Sequence, residues 1–186
     1  MNILYPKIRL SSLPAMLGHA LAGAGLAGIY GVIHDQVTYS ICPEYFTRLK
    51  FSQFHYADFG WPTRVFVGEI GFLATWWVGF VAGWFLVQIS VPACSGAAAF
   101  RRTAGGFLIM FASTLAASIT GYVLGRLHGA DYSAWQSMTS TLGVLDLPGF
   151  VRVAYIHNAS YLGGLMGLIA AIIHLRKLKR ATPSPR

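Results

Sequence analysis

The chain has 186 residues, of which 55% are hydrophobic and only 11% charged, with a mean hydropathy of +0.55. A soluble domain carries about 25% charged residues, so a water-facing enzyme is excluded, and disorder, which needs low hydrophobicity, is excluded with it. The net charge of +8 does not indicate nucleic acid, because the basic residues sit in short segments between apolar runs rather than on one polar face.

Four stretches reach the roughly 20 apolar residues that span a bilayer. They cover residues 11–33, 65–91, 105–127 and 153–175, and the fold expected is an all-α four-helix membrane bundle forming a single membrane domain. The first run exceeds a signal-peptide core and no polar mature domain follows it, so it reads as a span and not as a cleaved leader. Between the spans lie connections at 34–64, 92–104 and 128–152, and a basic tail at 176–186.

Charge orients the set. Lys7, Arg9, Arg101, Arg102, Arg176, Lys177, Lys179, Arg180 and Arg186 fall on one side with no acid. The other side holds Arg48, Lys50, Arg64, Arg126 and Arg152 together with all six acids, giving +9 against −1. Both termini are therefore expected inside, in a bacterial cytoplasmic (inner) membrane. That topology separates Cys42 from Cys94, so no disulfide is expected, and no CxxC pair occurs. The basic tail suits anionic lipid headgroups.

In the first span, Gly18 with Ala22 and Gly23 with Ala27 stand at four-residue spacing. The later spans add Gly79 with Gly83, Gly121 with Gly125, and Gly163 with Gly167. This spacing lines small residues along one helix face, where backbones approach closely in lipid. Internal packing of the bundle and a dimerisation face are the two uses for it. Trp76, Trp77 and Trp84 lie deep in the second span, as core packers or as the wall of a lipid, quinone or pigment groove.

The first connection, 34–64, contains two histidines, three acids and eight aromatics. Val37, Tyr39 and Ile41 alternate with Thr38, Ser40 and Cys42 in the manner of a strand. Pro43 suits the first turn of a following helix, with Glu44 near its positive end and Tyr45, Phe46, Leu49 and Phe54 on its apolar side. The segment is expected to form an ordered aromatic cap on the extracytoplasmic interface.

The candidate chemistry sits on that same side. Glu69 and His157 lie inside the second and fourth spans at similar depth, and ionisable groups there face the protein interior and pair or function. They form the candidate catalytic pair. His34, Asp35 and His128 join them as candidate ligands to a transition metal such as zinc, iron, copper or manganese. Against this stand plainer roles: Glu69 paired with Arg152 or Arg64, His157 hydrogen-bonded to Tyr161 or a neighbouring helix, and His34 with Asp35 capping the first helix. Glu44 reads as a helix-start carboxylate, and His55, Tyr56 and Asp58 as solvated loop residues. Adjacent His34 and Asp35 would also point different ways on a helix. No HExxH or Glu-x-x-His pair occurs.

A b-type haem on His19 lacks a second histidine at matching depth, since His157 lies too far outward and His174 too far inward. The Asn158-Ala159-Ser160 sequon falls inside a span and is discounted. No P-loop, dinucleotide motif or GxSxG occurs. Three functions follow as expectations. The first is an outward-facing His/carboxylate site acting on a lipid-soluble or extracytoplasmic small molecule. The second is an accessory subunit or assembly factor of a larger membrane complex, and the third a small proton- or cation-coupled transporter, which with four helices requires a homo-oligomer or a very narrow path.

Overall fold

The computed structural model describes residues 10–90, 96–128 and 131–181. Lys7, Arg9, Cys94 and Arg186 lie outside the described residues, as does the side chain of Arg180. Helices α1 (Leu13–Ile41), α2 (Thr63–Ser90), α3 (Gly96–Leu127), α4 (Gln136–Leu142) and α5 (Leu147–Ala181) carry the fold, and the described residues contain no strand. Four of them, all but α4, are long and apolar enough to cross a membrane.

The strand-like alternation at 37–42 is not a strand, because α1 continues to Ile41. The helix absorbs its polar residues on its own backbone. Thr38 donates to the His34 carbonyl at 3.0 Å, and Ser40 donates to the Gln36 carbonyl at 2.9 Å. Across the gap, Gln36 donates to the Arg64 carbonyl at 2.6 Å, and Arg64 returns bonds to the Gln36 side chain and Ser40. The end of α1 is thereby tied to the start of α2. His34 and Asp35 consequently lie within α1 and do not follow it.

Two antiparallel pairs build the bundle: α1 packs along α2, and α3 along α5, while contacts between the pairs are sparser. Small residues set this division. A methyl added at Gly23 of α1 would lie 2.6 Å from the Gly79 carbonyl oxygen of α2, and Gly31 and Gly71 meet backbone to backbone. Gly83 lies against Ala20 in the same seam. In the second pair, Gly121 and Gly125 face Tyr155 and Arg152, while Gly163 and Gly167 face Ser113 and Met110. Each seam also carries a crossing hydroxyl bond, Thr75 to the Ala27 carbonyl at 2.8 Å and Ser113 to the Gly163 carbonyl at 2.9 Å. Apolar helices of membrane-spanning length associate in lipid through close van der Waals packing and bonds of this kind.

The pairs close on each other at two levels. Near the 181 end of α5, Leu86, Ile89, Phe107, Met110, Ala171 and Leu175 form an aliphatic and aromatic core across α2, α3 and α5. At the opposite end, Cys42, Tyr45, Phe46, Val67, Phe150 and Val153 form a second core. Tyr45 and Phe46 come from the 42–62 connection, where winding starts at Pro43, widens to a π-helical stretch over Tyr45–Lys50 and tightens to an α-turn at Phe51–Gln53. Between the two levels the pairs stand apart around a cavity of about 810 Å³.

Gly31→Val is expected to lower unfolding stability in detergent by about 1–3 kcal/mol, because the added carbons overpack a backbone-to-backbone contact. Gly18→Ala serves as the control: a methyl there meets nothing within 4 Å. Equal stability of both variants would contradict the close-approach account.

Candidate functional site

His34 and Asp35 of α1 and His157 of α5 meet where the two helix pairs touch, each offering one ligand atom, with these atoms all within 4.8 Å of one another. His157 Nε2 lies 3.9 Å from Asp35 Oδ1. His157 is 2% exposed and Asp35 4%, so water scarcely reaches either side chain. Neither His157 Nε2 nor His34 Nε2 has a hydrogen-bond partner among the described residues, although both atoms are buried. A buried polar atom left unpaired costs about 1–3 kcal/mol, and orphans of this kind call for a physical explanation.

Rings hold His157 in place. Tyr45 stacks on it at 4.8 Å between centroids with an interplanar angle of 22°, and His34 meets it edge-on at 4.9 Å. Tyr45 itself packs on Phe150, one turn and more earlier in α5. Burial pushes the Tyr45 hydroxyl well above the ordinary phenol range, so it is a neutral platform. Behind His34, the Tyr30 hydroxyl lies 3.4 Å from Nδ1 and 3.5 Å from Ser118 Oγ of α3. That contact engages one ring nitrogen and leaves the other for a ligand, the orientation second-shell partners impose on metal-binding histidines.

The 42–62 connection is latched over this cluster. Glu44 Oε2 accepts from the backbone N–H groups of Leu145 and Asp146, both at 2.8 Å, and Asp146 Oδ1 accepts from Gly149 N–H at 3.0 Å. Glu44 thus serves the start of α5, a helix 101 residues further on, in addition to lying in the first turn of its own. The latch also positions Lys50, whose ammonium lies 5.9 Å from the ring centroids of both Tyr45 and Phe54. Burial lowers the Lys50 pKa, and the Asp35 charge partly offsets this. Cys42 is buried and makes no disulfide among the described residues, and burial raises its thiol pKa.

Two other expected participants stand elsewhere. Glu69 is half-buried on α2, outside both the cluster and the cavity wall, and its Oε2 has no hydrogen-bond partner among the described residues. Neither arginine considered for it arrives: Arg64 turns to Gln36, Ser40 and the Tyr39 ring, and Arg152 lies by the Tyr122 ring. His128 shares a 3.1 Å hydrogen bond with the Tyr155 hydroxyl and lies outside the cluster. His19 donates from Nδ1 to the Ala15 carbonyl at 2.7 Å. His55 and Asp58 are exposed and bonded locally, to the Ser52 carbonyl and the Gly60 N–H. Tyr45, Lys50 and Tyr30 were not singled out from sequence as site residues. Only Tyr30 carried a usable signal, since it lies four residues before His34 on the same helix face.

The cluster opens into the cavity, whose wall includes His34, Asp35, Lys50 and His157 at one end and Val78, Met110 and Leu168 at the other. No known protein family, curated protein or solved structure matches the chain.

Glu44→Ala removes two charge-assisted bonds to a helix start and is expected to cost about 1–2 kcal/mol of stability, read by unfolding in detergent. Glu44→Gln, which keeps an acceptor, is expected to lose less. Indifference of the fold to both would contradict the latch.

Proposed function

We propose that this chain is an integral membrane protein that binds a transition-metal ion through His34, Asp35 and His157 and presents it to a lipid-soluble or extracytoplasmic small molecule. The observation that carries the reading is the convergence of two imidazole nitrogens and one carboxylate oxygen within 4.8 Å of one another at a buried site. Two imidazoles and one carboxylate suit zinc, non-haem iron, copper or manganese, and three protein ligands leave positions open for a substrate or water, as in catalytic sites. Ligand atoms around one ion at about 2.0–2.2 Å sit roughly 3.3 Å apart. His157 and Asp35 stand 3.9 Å apart and all three ligand atoms within 4.8 Å, so binding an ion would draw the three side chains closer together. The site faces outward in this reading, with both chain ends inside, as the asymmetry of the basic residues supports.

The protein purified in mild detergent is expected to hold near-stoichiometric metal by elemental analysis. His157→Ala and Asp35→Asn abolish retention, whereas Glu69→Gln and His128→Ala keep it, with all four variants remaining folded by unfolding midpoint. Metal content unchanged in His157→Ala sinks the reading. Tyr30→Phe, which removes the contact to His34 Nδ1, is expected to weaken metal affinity by about tenfold, at the low end for a second-shell partner. Competition against a chelator of known affinity measures it.

A further inference from the structure

The cavity has a lateral side as well as a polar end. Trp77 of α2 and Tyr161 and Leu165 of α5 line it, and all three are more than half exposed. A residue that both lines an interior space and is exposed marks its rim. These rims lie on spans whose exposed surface faces lipid in the membrane reading, so the opening leads to acyl chains and not to water. From His157 to Leu168 the wall advances eleven residues, about 16 Å along a helix. Polar groups are confined mainly to the upper part of that length, and Val78, Met110 and Leu168 line the lower.

The polar end carries a cation with no direct ion-pair partner among the described residues. Lys50 has no hydrogen bond or ion pair among the described residues, and the carboxylate facing the same space, Asp35, stands beyond ion-pair distance. An ion on His34 and His157 would neutralise Asp35 and leave the end net positive. The volume of about 810 Å³ falls within the range of about 300–1,000 Å³ that takes one small ligand, enough for one acyl chain and not for two with a phosphodiester head.

We propose that the cavity binds a single-chain amphiphile with a carboxylate head, of the fatty-acid class, which enters sideways between α2 and α5. Its head meets Lys50 beside His34, and its chain lies along Val78, Met110 and Leu168. The inference rests on the membrane reading above and names the small molecule presented to the metal site.

Gly164 offers a direct test. It lines the cavity, and a Cβ there would meet only Thr114 Oγ1, at 3.5 Å, so Gly164→Leu is expected to extend into the space. Oleate is titrated into the detergent-solubilised full chain and followed by native mass spectrometry, with methyl oleate and phosphatidylglycerol as comparison ligands. Oleate is expected to bind once per chain. Methyl oleate, and oleate to Lys50→Gln, are expected to bind about tenfold more weakly or worse, the loss of one charge-assisted hydrogen bond. Gly164→Leu, with Ala74→Phe as a second blocking variant, is expected to lose oleate while retaining metal. Equal binding of methyl oleate, preference for phosphatidylglycerol, or undiminished oleate binding in both blocking variants overturns the proposal. Metal bound without oleate refutes this inference alone, and oleate bound without metal refutes the metal reading alone.

Discussion

The structure depends on how closely its helix backbones approach one another. Gly23 with Gly79 and Gly31 with Gly71 bring the backbones of α1 and α2 together, with the Phe107 ring of α3 also against Gly23, and Gly121, Gly163 and Gly167 let α3 and α5 approach closely. No comparable seam joins one pair to the other. The pairs therefore meet through large side chains at two levels, the aliphatic core around Leu86 and Leu175 and the aromatic core around Tyr45 and Phe150. The intervening level is left hollow. The cavity follows from where the glycines are, and the side chains at its edges then decide what it can hold.

At the polar edge, the arrangement makes a histidine expensive to leave unliganded. Tyr45 and His34 fix the His157 ring from two directions, Glu44 anchors the segment that delivers Tyr45, and Tyr30 engages the far side of His34. Each contact restricts rotation, so little freedom remains to be lost when a ligand binds. A site made this way is held by rigid helices, with only Tyr45 and Lys50 supplied by a connecting segment, and that segment is tied to α5 by two backbone bonds.

Much of the helical architecture was legible in the sequence, because apolar runs of membrane length need only composition to be seen. The glycine spacing was visible too, whereas its partners were not: sequence periodicity shows a small face but not what it meets. Where hydropathy ended, the reading faltered. Thr38 and Ser40 resemble strand residues when period-two alternation is weighed alone, yet α1 continues through them, with their hydroxyls satisfied on carbonyls of the preceding helical turn. That extension changes the site. It places His34 and Asp35 inside a helix, and adjacent positions expected to diverge both come near the His157 ring. Glu69 matched His157 in expected depth, but depth fixes height and not the direction in which a helix face points. The roles of Tyr45 and Lys50 depend on the latch from Glu44 to Leu145 and Asp146, a contact between distant segments that no local pattern encodes.

The central claim is that His34, Asp35 and His157 converge on one metal ion. X-ray absorption spectroscopy of the purified, metal-loaded protein tests it most directly, because the spectrum reports ligand type and distance at the metal itself. The account predicts two imidazole nitrogens and one carboxylate oxygen at about 2.0–2.2 Å, with one imidazole contribution lost in His34→Ala. A shell of light atoms without imidazole scattering, or one that includes sulfur, would contradict it.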